Sequence, residues 1–197
     1  ESATSDLLNP NTGAPLPSYA NDIFKTAAPD GAAPLTPEAQ QEKKRLSLAE
    51  AQRAFTAGNY NDLVEPLTYY ASTGDRTATM LLGILYRNGQ GGLPADQKKA
   101  FELLSKAAES NQPLAQHHLG IMYYTGAGVT KDTTQALKWL QIAIAHYPTG
   151  PGKTRAETDR KNLEASMTRR EIENASFMTR DWLIARGEGH LVEGEKR

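Results

Sequence analysis

The stretch "YYTGAGVTKD" (residues 123–132) decides how this chain folds, because it reads in two incompatible ways. Gly126-Ala127-Gly128 followed by Thr130 and Lys131 has the composition of a loop that cradles a phosphate. A little further on, "YPTGPGKT" (147–154) has it more strongly. The choice turns on the surroundings. Place "AQHHLGIMYYTGAGVTKDTTQALKWLQIAIAHY" (115–147) beneath "ATMLLGILYRNGQGGLPADQKKAFELLSKAAESN" (78–111). Ala78 and Ala115, Leu82 and Leu119, Gly83 and Gly120, Tyr86 and Tyr123, Gly89 and Gly126 then stand 37 positions apart. Beyond the glycines the offset is 36, pairing Asp96 with Asp132, Ala100 with Ala136, Leu104 with Leu140 and Ala107 with Ala143. One additional residue in "GQGGLPAD" (89–96) accounts for the change. Two helices, a glycine loop between them and a period in the mid-thirties predict an all-α solenoid of stacked antiparallel helix pairs.

Register then removes the nucleotide reading. Ala95 occupies the position of Lys131 in the other copy. A dinucleotide loop also needs a strand before it, whereas here a helix precedes. In "YPTGPGKT" Tyr147 stands where a phosphate loop has its first glycine. Pro151 further removes one of the amides that such a loop aims at its ligand.

Physical roles follow for the repeated positions. Leu82, Ile84, Leu85 and Tyr86, with their equivalents, give the first helix of each unit a broad apolar face. Gly83 and Gly120 fall mid-helix, where glycine costs about 1 kcal/mol relative to alanine, so a close helix approach is expected there. Gly126 and Gly128 let the chain reverse between helices. Asp96 and Asp132 stand as carboxylate N-caps of the second helices, and Asp132 with Gln135 fits a capping box.

With these residues in place, 78–111 and 115–147 resemble SEL-one-like repeats, relatives of the tetratricopeptide repeat. The shared pattern is an alanine, Leu-Gly, a tyrosine, a glycine loop, an aspartate, Lys/Gln-Ala, an aromatic or Leu, then Ala-Ala. Residues 54–78 resemble the half-repeat that opens such arrays, with Gly58-Asn59-Tyr60 as its turn and Pro66 early in its second helix. Downstream, Pro148 to Gly152 breaks the pattern. Helices at roughly 154–166 and 169–186, the second capped by Thr168 with Glu171, are expected to form a C-terminal capping pair through Leu163, Met167, Ile172, Ala175, Phe177, Met178, Trp182 and Leu183. The resemblance implies an interaction scaffold, subunit or regulator, often of the bacterial envelope.

Ahead of the array the texture differs. Residues 1–36 carry Pro10, Pro15, Pro17, Pro29 and Pro34, too closely spaced for a persistent helix. This segment reads either as a flexible leader or as an extended strap that docks Leu7, Leu8, Tyr19, Ile23 and Phe24 into a partner. Thr36-Pro37-Glu38 reads as a helix start. The expected domains are therefore 1–36, a solenoid with capping helices over 37–187, and a polar tail over 188–197.

Bulk composition narrows function. Lys and Arg number 22 against 23 Asp and Glu, a formal net charge of −1, so no nucleic-acid partner is expected and a membrane only through a partner. The absence of cysteine removes disulfides, thiolate metal sites and thiol nucleophiles. The first residue is Glu1, which is the expectation for a chain whose signal peptide has been removed, and a periplasmic location follows. His117 and His118 are adjacent, hence about 100° apart on a helix, and match Met80 and Leu81 in register, so no metal site is expected. No enzymatic activity and no cofactor are expected either.

The function that emerges is a non-catalytic scaffold or adaptor binding a protein partner, as part of a larger assembly, through the concave face formed by the first helices. Thr79, Arg87, Gln116, His117 and Tyr124 are its candidate contact residues, taken as exposed positions outside the repeat pattern. Two alternatives stand beside it: an accessory subunit of an envelope enzyme or machine, and a carbohydrate-binding or hydrolytic repeat protein using its tyrosines.

Overall fold

A computed structural model describes residues 46–193. Leu7, Leu8, Tyr19, Ile23, Phe24, the expected helix start at Thr36, and residues 194–197 lie outside the described residues. Within them there are nine helices and no strand: α1 (Leu48–Thr56), α2 (Val64–Ser72), α3 (Arg76–Asn88), α4 (Gln97–Glu109), α5 (Pro113–Thr125), α6 (Thr133–His146), α7 (Pro151–Glu164), α8 (Arg169–Ala185) and α9 (His190–Glu193). The fold is the expected α-solenoid. α3 pairs with α4 and α5 with α6, and each hairpin stacks on the next through α4 against α5.

The two repeats close their loops identically. Gly89 and Gly126 end α3 and α5 in the left-handed region, at φ 65° and 75°. The amide of Asp96 then donates to Tyr86 O, and that of Asp132 to Tyr123 O, each at 2.9 Å. The aspartate side chains cap the next helix by accepting from Lys99 N and Gln135 N, both at 2.9 Å. Asp75 caps α3 in the same way through Ala78 N at 2.7 Å. A cap of this kind stabilises a helix by about 1 kcal/mol.

Glycine marks both kinds of close approach. Within a hairpin, a Cβ on Gly83 would lie 2.9 Å from Leu104 Cγ, and one on Gly120 would lie 3.0 Å from Leu140 Cγ and 3.1 Å from Ala136 O. Between hairpins, a Cβ on Gly128 would lie 2.1 Å from Gln97 O, and one on Gly91 would lie 2.9 Å from Tyr60 O. The loop of each unit therefore rests, backbone on backbone, on the start of the second helix of the unit before it. Around these contacts the core runs from Phe55, Leu63 and Leu67 through Leu81, Leu85 and Leu104 to Leu119 and Met122, all essentially solvent-free.

The C-terminal elements depart from expectation in two ways. α7 begins at Pro151, earlier than residue 154, because proline at the first helical position has the φ that a helix requires and sacrifices no hydrogen bond there. α8 also packs along α6, not against α7, so the pair is not a further hairpin. Phe177, expected in its packing face, is 56% exposed. Ala175, Thr179 and Leu183 turn inward instead. The Thr168–Glu171 capping box is present, with both reciprocal bonds formed.

The stacking contact yields a graded test in urea denaturation. Gly128→Ala combines a positive φ of 73° with a backbone clash and should lower unfolding free energy by about 3 kcal/mol. Gly92→Ala shares the positive φ but meets nothing within 4 Å, and should lose only about 1 kcal/mol.

Candidate interaction face

α5 lies at the centre of the array, and most of it is used for packing. Leu114, Ala115, Gln116, His117, Leu119, Gly120 and Met122 are all buried. Past Pro113, and apart from Tyr123, whose ring packs edge-on to Phe101 at 5.5 Å, solvent reaches His118, Ile121, Tyr124 and Thr125. Their spacing of three, three and one residues puts them on a single stripe of the helix. On α3 every residue from Ala78 to Leu85 is buried, and the stripe continues only at its C-terminal end, where Arg87 is half-buried. Arg87 Nη1 meets His118 Nδ1, which joins the two stripes. Lys131 lies with its ammonium 5.3 Å from the centroid of the Tyr124 ring.

Arg87 and Tyr124 are thus where a contact face requires them. Three other candidates are not, and the expectation of exposure is corrected for each. Thr79 is 2% exposed, Gln116 0% and His117 6%. Each is buried because it satisfies a polar group inside the stack. Thr79 Oγ1 donates to Asp75 O at 2.7 Å, and Gln116 Nε2 donates to Ala108 O at 3.0 Å across the α4–α5 interface. His117 Nε2 lies 2.7 Å from Asp159 Oδ2 of α7.

That last contact replaces apolar packing with an ion pair. Extending the 37-residue register from α5 to α7 puts Asp159 at the place of Met122, and His117 already matches Met80. Asp159 is 5% exposed, and Arg155 Nε stands 3.3 Å from its other oxygen. At this burial the pair ties α5 to α7 and does not present a proton to a substrate. Among the described residues no three His, Asp or Glu side chains form a group able to hold a metal ion.

His118 is neutral for a geometric reason. Arg87 can only donate, so His118 Nδ1 accepts and Nε2 carries the ring proton. Burial, followed by the Arg87 charge and then His117, holds the His118 pKa well below the usual imidazole range. On the other side of the α5 stripe, burial and then the Asp132 carboxylate raise the Tyr123 phenol.

Sequence reading missed Ile121 and Asp159. Ile121 was available by counting three residues back from Tyr124. Asp159 was available only by carrying the register past the Pro148–Gly152 break, where glycine, alanine and aspartate stand in for the repeat's larger apolar residues.

Two measurements follow. His117→Met should cost about 3 kcal/mol in chemical denaturation, since it strands a buried carboxylate, whereas His117→Met with Asp159→Met should return to within about 1 kcal/mol of wild type. The second concerns pH. A histidine whose folded pKa is depressed contributes its full stability above its unfolded value of about 6.5 and loses it as pH falls. Wild type should therefore lose stability between pH 7 and 5 faster than His118→Leu, by at most about 1.4 kcal/mol per pH unit, as read from denaturation midpoints.

Comparison with known proteins places this geometry. A family model for the Sel1 repeat matches residues 77–112 and 113–146. Chitin synthase regulatory factor 3 of Schizosaccharomyces pombe is 37% identical over 60 residues, which is 30% of this chain and 6% of that protein. Among solved structures, a protective antigen present in uropathogenic Escherichia coli strains and displaying an SLR fold superposes with a TM-score of 0.59 at 23% identity, over 81% of this chain and 32% of that one. A Sel1 repeat protein from Oxalobacter formigenes superposes with a TM-score of 0.51 at 27% identity, over 73% of this chain and 55% of that one. The chain spans less than two thirds of the length of each of these relatives.

Proposed function

Starting from residues 77–146 as two tandem Sel1 repeats, a unit whose proteins are in general protein-interaction scaffolds, we propose that this protein is a non-catalytic scaffold whose partner lies across the α5 stripe. The observation that carries this reading is the division of labour on α5. Gln116 and His117 are consumed in holding neighbouring helices, while Ile121 and Tyr124 on the adjacent face reach solvent. An apolar residue and an aromatic side by side, flanked by Arg87 and Lys131, form the kind of anchor on which protein interfaces concentrate their binding energy.

The finer reading goes further. The partner contacts the stripe at Ile121 and Tyr124, and residues 1–36 add a second contact through Leu7, Leu8, Tyr19, Ile23 and Phe24. Two linked contacts would raise affinity beyond what so short an array provides. The protein works in the periplasm as a member of a larger assembly. The S. pombe relative is named a regulatory factor, which favours an accessory or regulatory subunit as the form this role takes.

Copurification from the native host followed by affinity measurement tests this. Ile121→Asp and Tyr124→Ala should each weaken the partner about tenfold or more while leaving helical content intact. Phe177→Asp, on the outer side of α8, should leave affinity unchanged. Undiminished affinity in both α5 variants would overturn the assignment.

A further inference from the structure

The C-terminal end of α8 folds back onto the turn between α4 and α5, and a histidine lies at the centre of that contact. His146, the last residue of α6, has Nδ1 2.9 Å from Gln116 Oε1 and Nε2 3.1 Å from Glu188 Oε2. The direction of both bonds is fixed. Gln116 donates its Nε2 to Ala108 O at 3.0 Å, so its oxygen must be the atom that faces the ring. An amide oxygen and a carboxylate can only accept, and both ring nitrogens of His146 must therefore donate. The docked state holds the doubly protonated imidazolium. It is nearly enclosed, with the His146 and Glu188 side chains 10% and 21% exposed.

Other groups meet at the same place. Glu188 also accepts from Asn111 Nδ2 through its second oxygen. Trp182 lies edge-on to His146 at 6.0 Å and to Trp139 at 5.7 Å between ring centroids. The Arg186 guanidinium sits 3.9 Å over the Trp182 ring and bonds Glu109 through both its carbonyl, at 2.9 Å, and its carboxylate. Because α8 does not pack on α7, this cluster and the α6 face are what join the end of α8 to the repeats. The remaining charges nearby are already engaged: Glu109 pairs with Arg186, Lys138 of α6 lies over Trp139 at 4.7 Å, and His117 of α5 pairs with Asp159.

We propose that residues 182–188 form a pH-gated latch on the repeat array, closed while His146 carries two ring protons and released at its Glu188 end when the ring loses one. The sign follows from the partners. A histidine that gains a carboxylate on docking favours the protonated ring, so docking is full on the acid side of the imidazole range and is lost as pH rises through it. Loss of one proton removes a charge-assisted bond and sets a ring lone pair against an amide oxygen or a carboxylate. This is opposite in sign to the effect of His118, so the two can be separated. The latch does not depend on the partner-binding face.

The test uses the full chain without a partner. Both tryptophans of the protein, Trp139 and Trp182, lie in the latch, so their emission reports its closure, and amide exchange of residues 183–189 reports its stability. Nitrogen-15 NMR of the His146 ring at pH 6 should show both nitrogens protonated. Exchange, corrected for its intrinsic pH dependence, should accelerate about tenfold from pH 6 to pH 8, with a parallel change in emission. Glu188→Gln lies beyond α8 and leaves the fold intact; it should abolish that pH dependence, and His190→Asn should preserve it. A singly protonated His146 ring in the closed latch at pH 6, or equal protection at pH 6 and pH 8, would overturn the proposal.

Discussion

Backbone touching backbone at Gly128 is the contact on which the array depends. A single methyl group at that position would sit 2.1 Å from Gln97 O. The loop of the second unit can lie on the first turn of α4 only because no side chain intervenes. Gly91 repeats the arrangement one unit earlier, against Tyr60. These contacts set the spacing from hairpin to hairpin, and with it the depth to which Leu104 and Leu140 can reach beneath Gly83 and Gly120. Dense packing leaves little room for adjustment, so the direction of every helix follows from the placement of the loops.

Given that frame, three consecutive residues of α5 do three different things. Gln116, His117 and His118 point about 100° apart in turn. Gln116 bonds back to α4, His117 forward to α7, and His118 sideways to Arg87 on α3. Polar side chains thus span interfaces that apolar ones occupy elsewhere in the array. A buried pair such as His117–Asp159 adds little net stability over well-packed apolar residues, yet it fixes which face of α7 turns inward. The exposed stripe at Ile121 and Tyr124 is what remains of α5 once those obligations are met.

The legible part of this fold was the part written in repeated residues. Gly83 and Gly120, the aspartate caps at 96 and 132, and the glycine loops each recur at fixed offset, and each has a local physical cause. The burial of His117 was also legible, since its register partner is Met80, a core position; treating a polar residue as exposed because it departs from the repeat pattern obscured this. Gln116 and Thr79 were misplaced for the same reason. The packing of α8 along α6, the outward turn of Phe177 and the meeting of His146 with Glu188 could not be read in this way. They depend on how a non-repeating helix lies across the end of the stack, and no local propensity records that.

A scaffold of this size binds through a small surface, and its stability is spent on presenting that surface rigidly. The most direct measurement is site-specific photo-crosslinking in the native host, with a photoreactive amino acid placed at position 121 and, separately, at position 177. The account predicts one protein partner crosslinked at 121 and none at 177. Crosslinking of the partner from 177 but not from 121 would contradict it.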